Sequence, residues 1–209
     1  MTRLTSWGGT SMAGPHATAL VGLMWSACPS LLGRVEDTIQ PASQQFIERS
    51  IAEAELRNAA LVILELDTPG GLMSSTRDMI KAILASRVPV ATFVAPSGSR
   101  AASAGTFLTL AAHVASMAPA TNIGAATPIS SDGQDIPDDL GEKVMNDTIA
   151  TITSIAEERG RPVDWAVSTV EDAASYTVDE ALAGYCKNID VTLHEDGSVE
   201  LDSPEGAQP

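Results

Sequence analysis

The chain has 209 residues, 44% apolar and 19% charged, which gives it material for one sizeable core and excludes a disordered chain. A formal charge of −15 repels phosphate backbones and excludes nucleic acid as a natural partner. Two cysteines, Cys28 and Cys186, and three scattered histidines supply neither a disulfide framework nor a zinc or iron–sulfur spacing, so no metal and no cofactor are expected.

Residues 1–35 differ in character from the rest. Gly8, Gly9 and Gly14 surround Thr10-Ser11-Met12-Ala13, and an apolar run follows from Ala17 to Leu32. Ser26 and Pro29 interrupt that run, which is too short to span a membrane. A Gly-rich turn feeding a mostly buried helix is expected. From Val35 a regular α/β rhythm begins. Phe46, Ile47, Ile51, Ala54 and Leu56 mark an amphipathic helix over 44–57. The run 59–66, Ala-Ala-Leu-Val-Ile-Leu-Glu-Leu, is what a strand buried on both faces requires. Asp67-Thr68-Pro69-Gly70-Gly71 then breaks the chain.

A helix over 73–86 is expected, with Met73, Met79, Ile80, Ile83 and Leu84 inward. A strand follows over 88–94, with Pro89 near its start, where the missing N–H does least harm. Residues 96–99 form a turn, and the small apolar residues 101–113 suit a closely packed helix. A short strand over 114–118 leads into a long loop, 119–141, containing Gly124, Pro128, Gly133 and Pro137. A helix over 142–159 ends at Gly160 and Pro162, with shorter helices over 165–170 and 178–183. The acidic tail after Gly197 reads as frayed. Alternating strands and helices on short links give an α/β class: a parallel sheet covered by helices. Chemistry in such folds sits beyond the carboxyl ends of the strands, where the breaks at 67–71 and 96–105 fall.

Ser103 has alanine on both sides and Gly105 two residues on, so a substrate backbone can approach its hydroxyl. If it opens a helix, the positive end of the dipole favours developing negative charge there. The competing reading is an N-cap serine. Gly70 and Gly71, after a buried strand, leave backbone N–H groups uncovered, as an oxyanion hole needs and as an ordinary tight turn also provides. A nucleophilic serine needs a base. His113 lies roughly 15 Å further along a continuous helix, beyond hydrogen-bond reach, and reads as a packed helix-end residue. His16 lies in the odd N-terminal segment and His194 in a polar hairpin-like stretch. Lys81 sits on a polar helix face and Lys187 in a polar turn. Lys143, at the start of the helix after the long loop, either turns inward as a base or remains a solvated surface lysine.

Together these segments resemble the NfeD-type membrane-associated serine proteases of the ClpP class. The resemblance is carried by Leu64-Glu65-Leu66-Asp67-Thr68-Pro69-Gly70-Gly71, Ala101-Ala102-Ser103-Ala104-Gly105-Thr106 and Met117-Ala118-Pro119 through Asn122-Ile123-Gly124-Ala125. It continues through Lys143, Asn146-Asp147, the 156–161 segment, Trp165-Ala166 and Asp179-Glu180-Ala181, and covers about residues 36–192. It implies a ClpP/crotonase-like fold and a Ser–Lys dyad, with Ser103 as nucleophile, Lys143 as base and Gly70 and Gly71 in the oxyanion turn. Members are tied to stomatin-like partners, cleave an apolar segment, and usually carry a signal peptide and transmembrane helices, neither of which is clear in this chain. A membrane-associated or extracytoplasmic setting is implied by the resemblance alone.

Gly9-Thr10-Ser11-Met12-Ala13-Gly14-Pro15-His16 resembles the serine motif of subtilisin-like proteases. That triad needs an Asp and another His from earlier in the chain, so Ser11 is expected to be inactive.

The expected organisation is a fragment or leader over 1–35, a ClpP-like serine protease domain over 36–195 and an acidic tail over 196–209. The expected activity is serine endopeptidase. Ser103 and Lys143 are catalytic, Gly70, Gly71 and Ala104 form the oxyanion hole, and Ile123, Gly124 and Ala125 contact an apolar peptide. The partners are a peptide or protein substrate and further copies of the chain, as a dimer or larger homo-oligomer. The alternatives are a crotonase-like acyl-CoA enzyme, which this acidic surface suits poorly, and an inactive binding module on the same fold.

Overall fold

The computed structural model describes residues 2–3, 32–129, 138–185, 190–193 and 199–202. In chain order the strands are β1 (Thr2–Arg3), β2 (Leu32–Val35), β3 (Val62–Leu66), β4 (Val90–Val94), β5 (Arg100–Ala102), β6 (Val114–Met117), β7 (Asn122–Gly124), β8 (Ser175–Thr177), β9 (Asp190–Leu193) and β10 (Val199–Asp202). The helices are α1 (Pro41–Leu56), α2 (Met73–Ala85), α3 (Ala104–Ala111), α4 (Asp138–Glu158), α5 (Val163–Glu171) and α6 (Val178–Tyr185).

The central sheet runs β2-β3-β4-β6, every pair parallel. Four of the five β3 residues are buried, Glu65 being the exception, which is why that run reads as almost continuously apolar. A second sheet, β5-β7-β8, stands beside it, with β5 and β7 parallel and β8 antiparallel to β7. The backbones of β1, β9 and β10 form a third, antiparallel sheet.

Each helix starts and buries for a local reason. Pro41 occupies the first turn of α1, where its missing N–H is no loss. Ser43 Oγ accepts the Gln40 N–H at 2.9 Å and closes that end. Ile47, Ile51 and Ala54 then face the core on one stripe. Met79, Ile80 and Ile83 do the same for α2. All eight residues of α3 are buried, from Ala104 to Ala111, with Phe107 and Leu108 fully inside. A helix apolar all round has to lie in the middle of the protein, and α3 packs between α2 and α4.

Four expectations shift. The sheet begins at Leu32, four residues before the boundary expected at 36, because β2 pairs with β3 from Leu32↔Ile63 to Val35↔Leu66. The helix expected over 101–113 begins only at Ala104, because residues 100–102 are taken into β5 by β7 and by a bridge between Ala101 and Thr68. Small residues carry weak preferences of their own, so pairing partners decide. The loop expected over 119–141 contains β7, and α4 starts at Asp138; residues 130–137 lie outside the described residues. The frayed tail contains β10, paired with β9.

Candidate active site

Ser103 joins β5 to α3. Its backbone has φ 50° and ψ −112°, a conformation that L-residues other than glycine adopt only under constraint. The constraint is visible on both sides. The Ser103 N–H donates to Gly124 O at 2.9 Å, and Ser103 O accepts the Thr106 N–H at 2.9 Å. Ser103 holds the N-cap position of α3, yet its hydroxyl makes no capping hydrogen bond. The cap reading therefore fails: a capping serine sits in extended backbone with its oxygen on a first-turn N–H. Ser103 is thus a half-buried serine on a strained strand-to-helix turn, its hydroxyl free of any capping bond.

The glycine turn lies directly against it. A Cβ built on Gly70 would sit 2.6 Å from Ser103 Cβ, 3.1 Å from Ser103 Oγ and 3.4 Å from the Ala104 nitrogen. Gly70 has φ +116°, so its hydrogen, rather than a side chain, faces the serine. The Gly70 N–H donates to Thr68 Oγ1 at 3.1 Å, so it is already engaged. The Ile39 N–H donates to Gly70 O at 2.7 Å and the Leu72 N–H donates to Ile39 O at 2.9 Å. This parallel bridge leaves Gly71's own N–H turned away from Ile39. The Ala104 N–H belongs to the first turn of α3, where no intrahelical acceptor exists.

At the other end of α3, the Arg159 Nε donates to Ala111 O at 2.7 Å and the Arg161 Nη2 donates to Ala112 O at 2.5 Å. Two cations thus complement the negative end of the helix, while its positive end points at Ser103. His113 stands with these arginines. Its Nδ1 accepts the Val90 N–H at 3.1 Å. Burial, and then the charges of Arg159 and Arg161, hold its pKa below the ordinary value. It is a structural residue at the far end of the helix from Ser103.

Lys143 lies on the second turn of α4, and its side chain is exposed rather than turned inward. Asp147, one turn on, pairs with Arg77 of α2. Ile123 is 2% exposed, and its side chain packs with Val94, Ala101 and Met117, so a ligand could meet only its backbone. Gly124 is buried with φ +131°, while Ala125 is exposed. Lys81 is exposed and pairs with Asp78. Ser11, His16, Lys187 and His194 lie outside the described residues. Among the described residues no group of acidic, histidine and cysteine side chains could hold a metal ion, and no helix is long and apolar enough to cross a membrane.

Sequence reasoning missed Thr68 and Thr106. Both are fully buried, and both hydroxyls bond to backbone beside Ser103. For Thr106 the available signal was a threonine among small apolar residues, and for Thr68 a threonine at the head of the glycine turn, since a buried hydroxyl has to find a partner.

A parallel sheet covered by helices, with a strained serine turn above it, is an α/β fold of the ClpP type. The chain belongs to the NfeD1b N-terminal-domain family, whose model matches residues 32–207. It is 36% identical over 173 residues to the membrane-bound protease PH1510 of Pyrococcus horikoshii, covering 78% of this chain and 39% of that protein. It is 31% identical over 172 residues to the membrane protein NfeD1b of Bacillus subtilis, covering 82% of this chain and 37% of that one. This chain thus spans less than half the length of either relative. Among solved structures it is similar to the 1510-N membrane-bound stomatin-specific protease, a lysine-to-alanine mutant in complex with a substrate peptide. There the TM-score is 0.68 at 36% identity, over 74% of this chain and 71% of that one.

Proposed function

We propose that this chain is a serine endopeptidase with Ser103 as its nucleophile. The observation that carries the reading is the Ser103 turn: an uncapped hydroxyl on a strained residue, at the positive end of a buried helix, facing a glycine. Ser103 Oγ attacks the peptide carbonyl. Lys143, in its neutral form, takes the hydroxyl proton and returns it to the departing amine. Water then hydrolyses the acyl-serine ester by the reverse proton route.

The Gly71 and Ala104 N–H groups receive the developing oxyanion. Gly70 keeps the approach open, since its own N–H is committed to Thr68. Ala125, exposed after the buried Ile123 and Gly124, flanks the substrate. The lysine-to-alanine mutant of the solved relative, bound to a substrate peptide, supports a lysine in this chemistry. Lys143 is exposed in the single chain, so a bound substrate or a second copy of the chain has to cover it. That requirement suits a dimer or larger homo-oligomer. The name of the solved relative supports a stomatin-like membrane protein as substrate, and an apolar segment of it is the part we favour.

The test is labelling of the purified full chain with a fluorophosphonate, alongside peptides with apolar, basic and acidic residues flanking the cut. Labelling of the parent but not of Ser103→Ala, with apolar peptides cut fastest and acidic ones slowest, is expected. Equal labelling of both proteins would remove Ser103, and equal cutting of all peptides would remove the apolar preference.

A further inference from the structure

Two buried hydroxyls lie beneath the serine turn and belong to neither the nucleophile nor the oxyanion donors. Thr106 Oγ1 accepts the Gly124 N–H at 3.1 Å, and its one hydrogen lies between Ala101 O at 2.9 Å and Gly124 O at 3.0 Å. Gly124 O is the same atom that accepts the Ser103 N–H. One hydroxyl therefore joins the end of β5, the end of β7 and the first turn of α3, the three segments that meet at Ser103.

Thr68 repeats the device on the facing turn. Its Oγ1 accepts the Gly70 N–H at 3.1 Å and lies 2.7 Å from Asp37 O and 3.2 Å from Gly70 O. Thr68 O accepts the Ala102 N–H at 3.0 Å, one residue before the serine. Its methyl fits only because residue 105 is glycine: a Cβ there would stand 2.8 Å from Thr68 Cγ2. Both threonines are 0% exposed, so neither can touch a substrate.

Resting on the peptidase reading above, we infer that Thr106 and Thr68 are positioning residues that fix the separation between the Ser103 hydroxyl and the Gly70-Gly71 turn. Each hydroxyl accepts a glycine N–H, that of Gly124 for Thr106 and of Gly70 for Thr68, and places its one hydrogen between that glycine's carbonyl and a second carbonyl, Ala101 O or Asp37 O. A valine has the same shape and removes the acceptor of a buried glycine N–H, that of Gly124 or of Gly70, while the glycine carbonyls keep the Ser103 and Ile39 N–H groups. Gly124 is then free to move, and with it the serine backbone. A misplacement near 1 Å at a reacting group costs on the order of 100-fold in rate.

The experiment compares the full chain with Thr106→Val, Thr106→Ser and, as a control, Thr109→Val, whose buried hydroxyl donates to Gly105 O one turn back in the same helix and touches neither Gly124 nor Gly70. Thr106→Val should lower kcat and the fluorophosphonate rate by about 10- to 100-fold with KM within about twofold. Thr106→Ser should restore kcat to within about threefold, because it keeps the hydroxyl. Thr109→Val should leave kcat near the parent value. Amide exchange at Ser103 and Gly124 should quicken by about tenfold or more in Thr106→Val alone. If Thr106→Val does not fold, Thr106→Cys, with its weaker donor, carries the same comparison. Parent kcat in a folded Thr106→Val, failure of serine to rescue, or an equal loss in Thr109→Val would each overturn the inference, and so would unchanged exchange. A parent inert to probe and peptides, with exchange still quickened by valine, would overturn the peptidase reading and leave the positioning role standing.

Discussion

Gly70 and Ser103 approach so closely that a Cβ on the glycine would lie 2.6 Å from the serine Cβ. Real Cβ contacts are never that short, and both backbones are pinned, Gly70 by Thr68 and Ile39, and Ser103 by Gly124. The glycine also has φ +116°, which a side chain resists. Gly70→Ala should therefore abolish fluorophosphonate labelling and lower the thermal midpoint, the strain alone costing about 1–3 kcal/mol. Gly98→Ala is the matched comparison. Gly98 has φ +93° but nothing within 4 Å of its added Cβ, so it should lose stability and keep activity. Equal activity in both variants would mean that the Gly70–Ser103 approach is unrelated to catalysis.

Ser103→Ala should abolish peptide cleavage at little cost in stability, because the hydroxyl makes no capping bond that alanine would lose. Lys143→Ala should be as damaging as Ser103→Ala, and the double variant no worse than either, since members of one catalytic unit are not additive. Steady-state rates on one peptide decide it. A double variant much slower than both single ones would separate Lys143 from Ser103.

His113 gives a pH dependence that is independent of catalysis. Its folded-state pKa lies below the ordinary 6.5, chiefly through burial and then through Arg159 and Arg161. The unfolded chain therefore binds this proton more readily than the folded one. The stability that neutral His113 contributes is complete above pH 6.5 and is lost as pH falls through the lower folded value. Thermal midpoints measured from about pH 7.5 to about pH 5 should fall more steeply in the parent than in His113→Gln, which cannot take the proton. The difference between the two proteins matters here, because acidification also relieves the charge of −15 in both. Parallel curves would show that burial and the arginines do not hold the His113 imidazole below its ordinary value.

The N-terminal boundary can be tested by two deletions. β2 begins at Leu32, Val35 is buried in the main core, and Val35 O accepts the Asp67 N–H at 2.9 Å at the head of the glycine turn. Removing residues 1–31 should leave labelling of Ser103 intact, and Ser11→Ala should change nothing. Removing residues 1–35 takes away an edge strand and one anchor of that turn, so soluble, reactive protein should be lost. Loss of labelling in the shorter deletion, with the circular dichroism unchanged, would give residues 1–31 a part in the site.

The sequence by itself determined the layers. Buried parallel strands leave nearly continuous apolar runs such as Val62–Leu66, and amphipathic helices leave the stripe of Ile47, Ile51 and Ala54, so both are legible from local pattern. The serine and glycine turns were legible too, because only small residues tolerate such close approach. Tertiary structure alone decided the rest. Residues 101–106 are small and carry no break in pattern, and only pairing with β7 and Thr68 divides them into a strand, a strained serine and the start of a helix. The Gly70 N–H is an expected oxyanion donor from sequence, and in the fold Thr68 Oγ1 accepts it. Ile123 is expected from sequence to contact an apolar peptide, yet its side chain packs with Val94, Ala101 and Met117. Lys143 reads from sequence either as an inward base or as a solvated surface lysine, and only the fold shows its side chain exposed. Each of these turns on which distant atom reaches a given N–H, side chain or hydroxyl, and periodicity carries no record of partners that are remote in the chain.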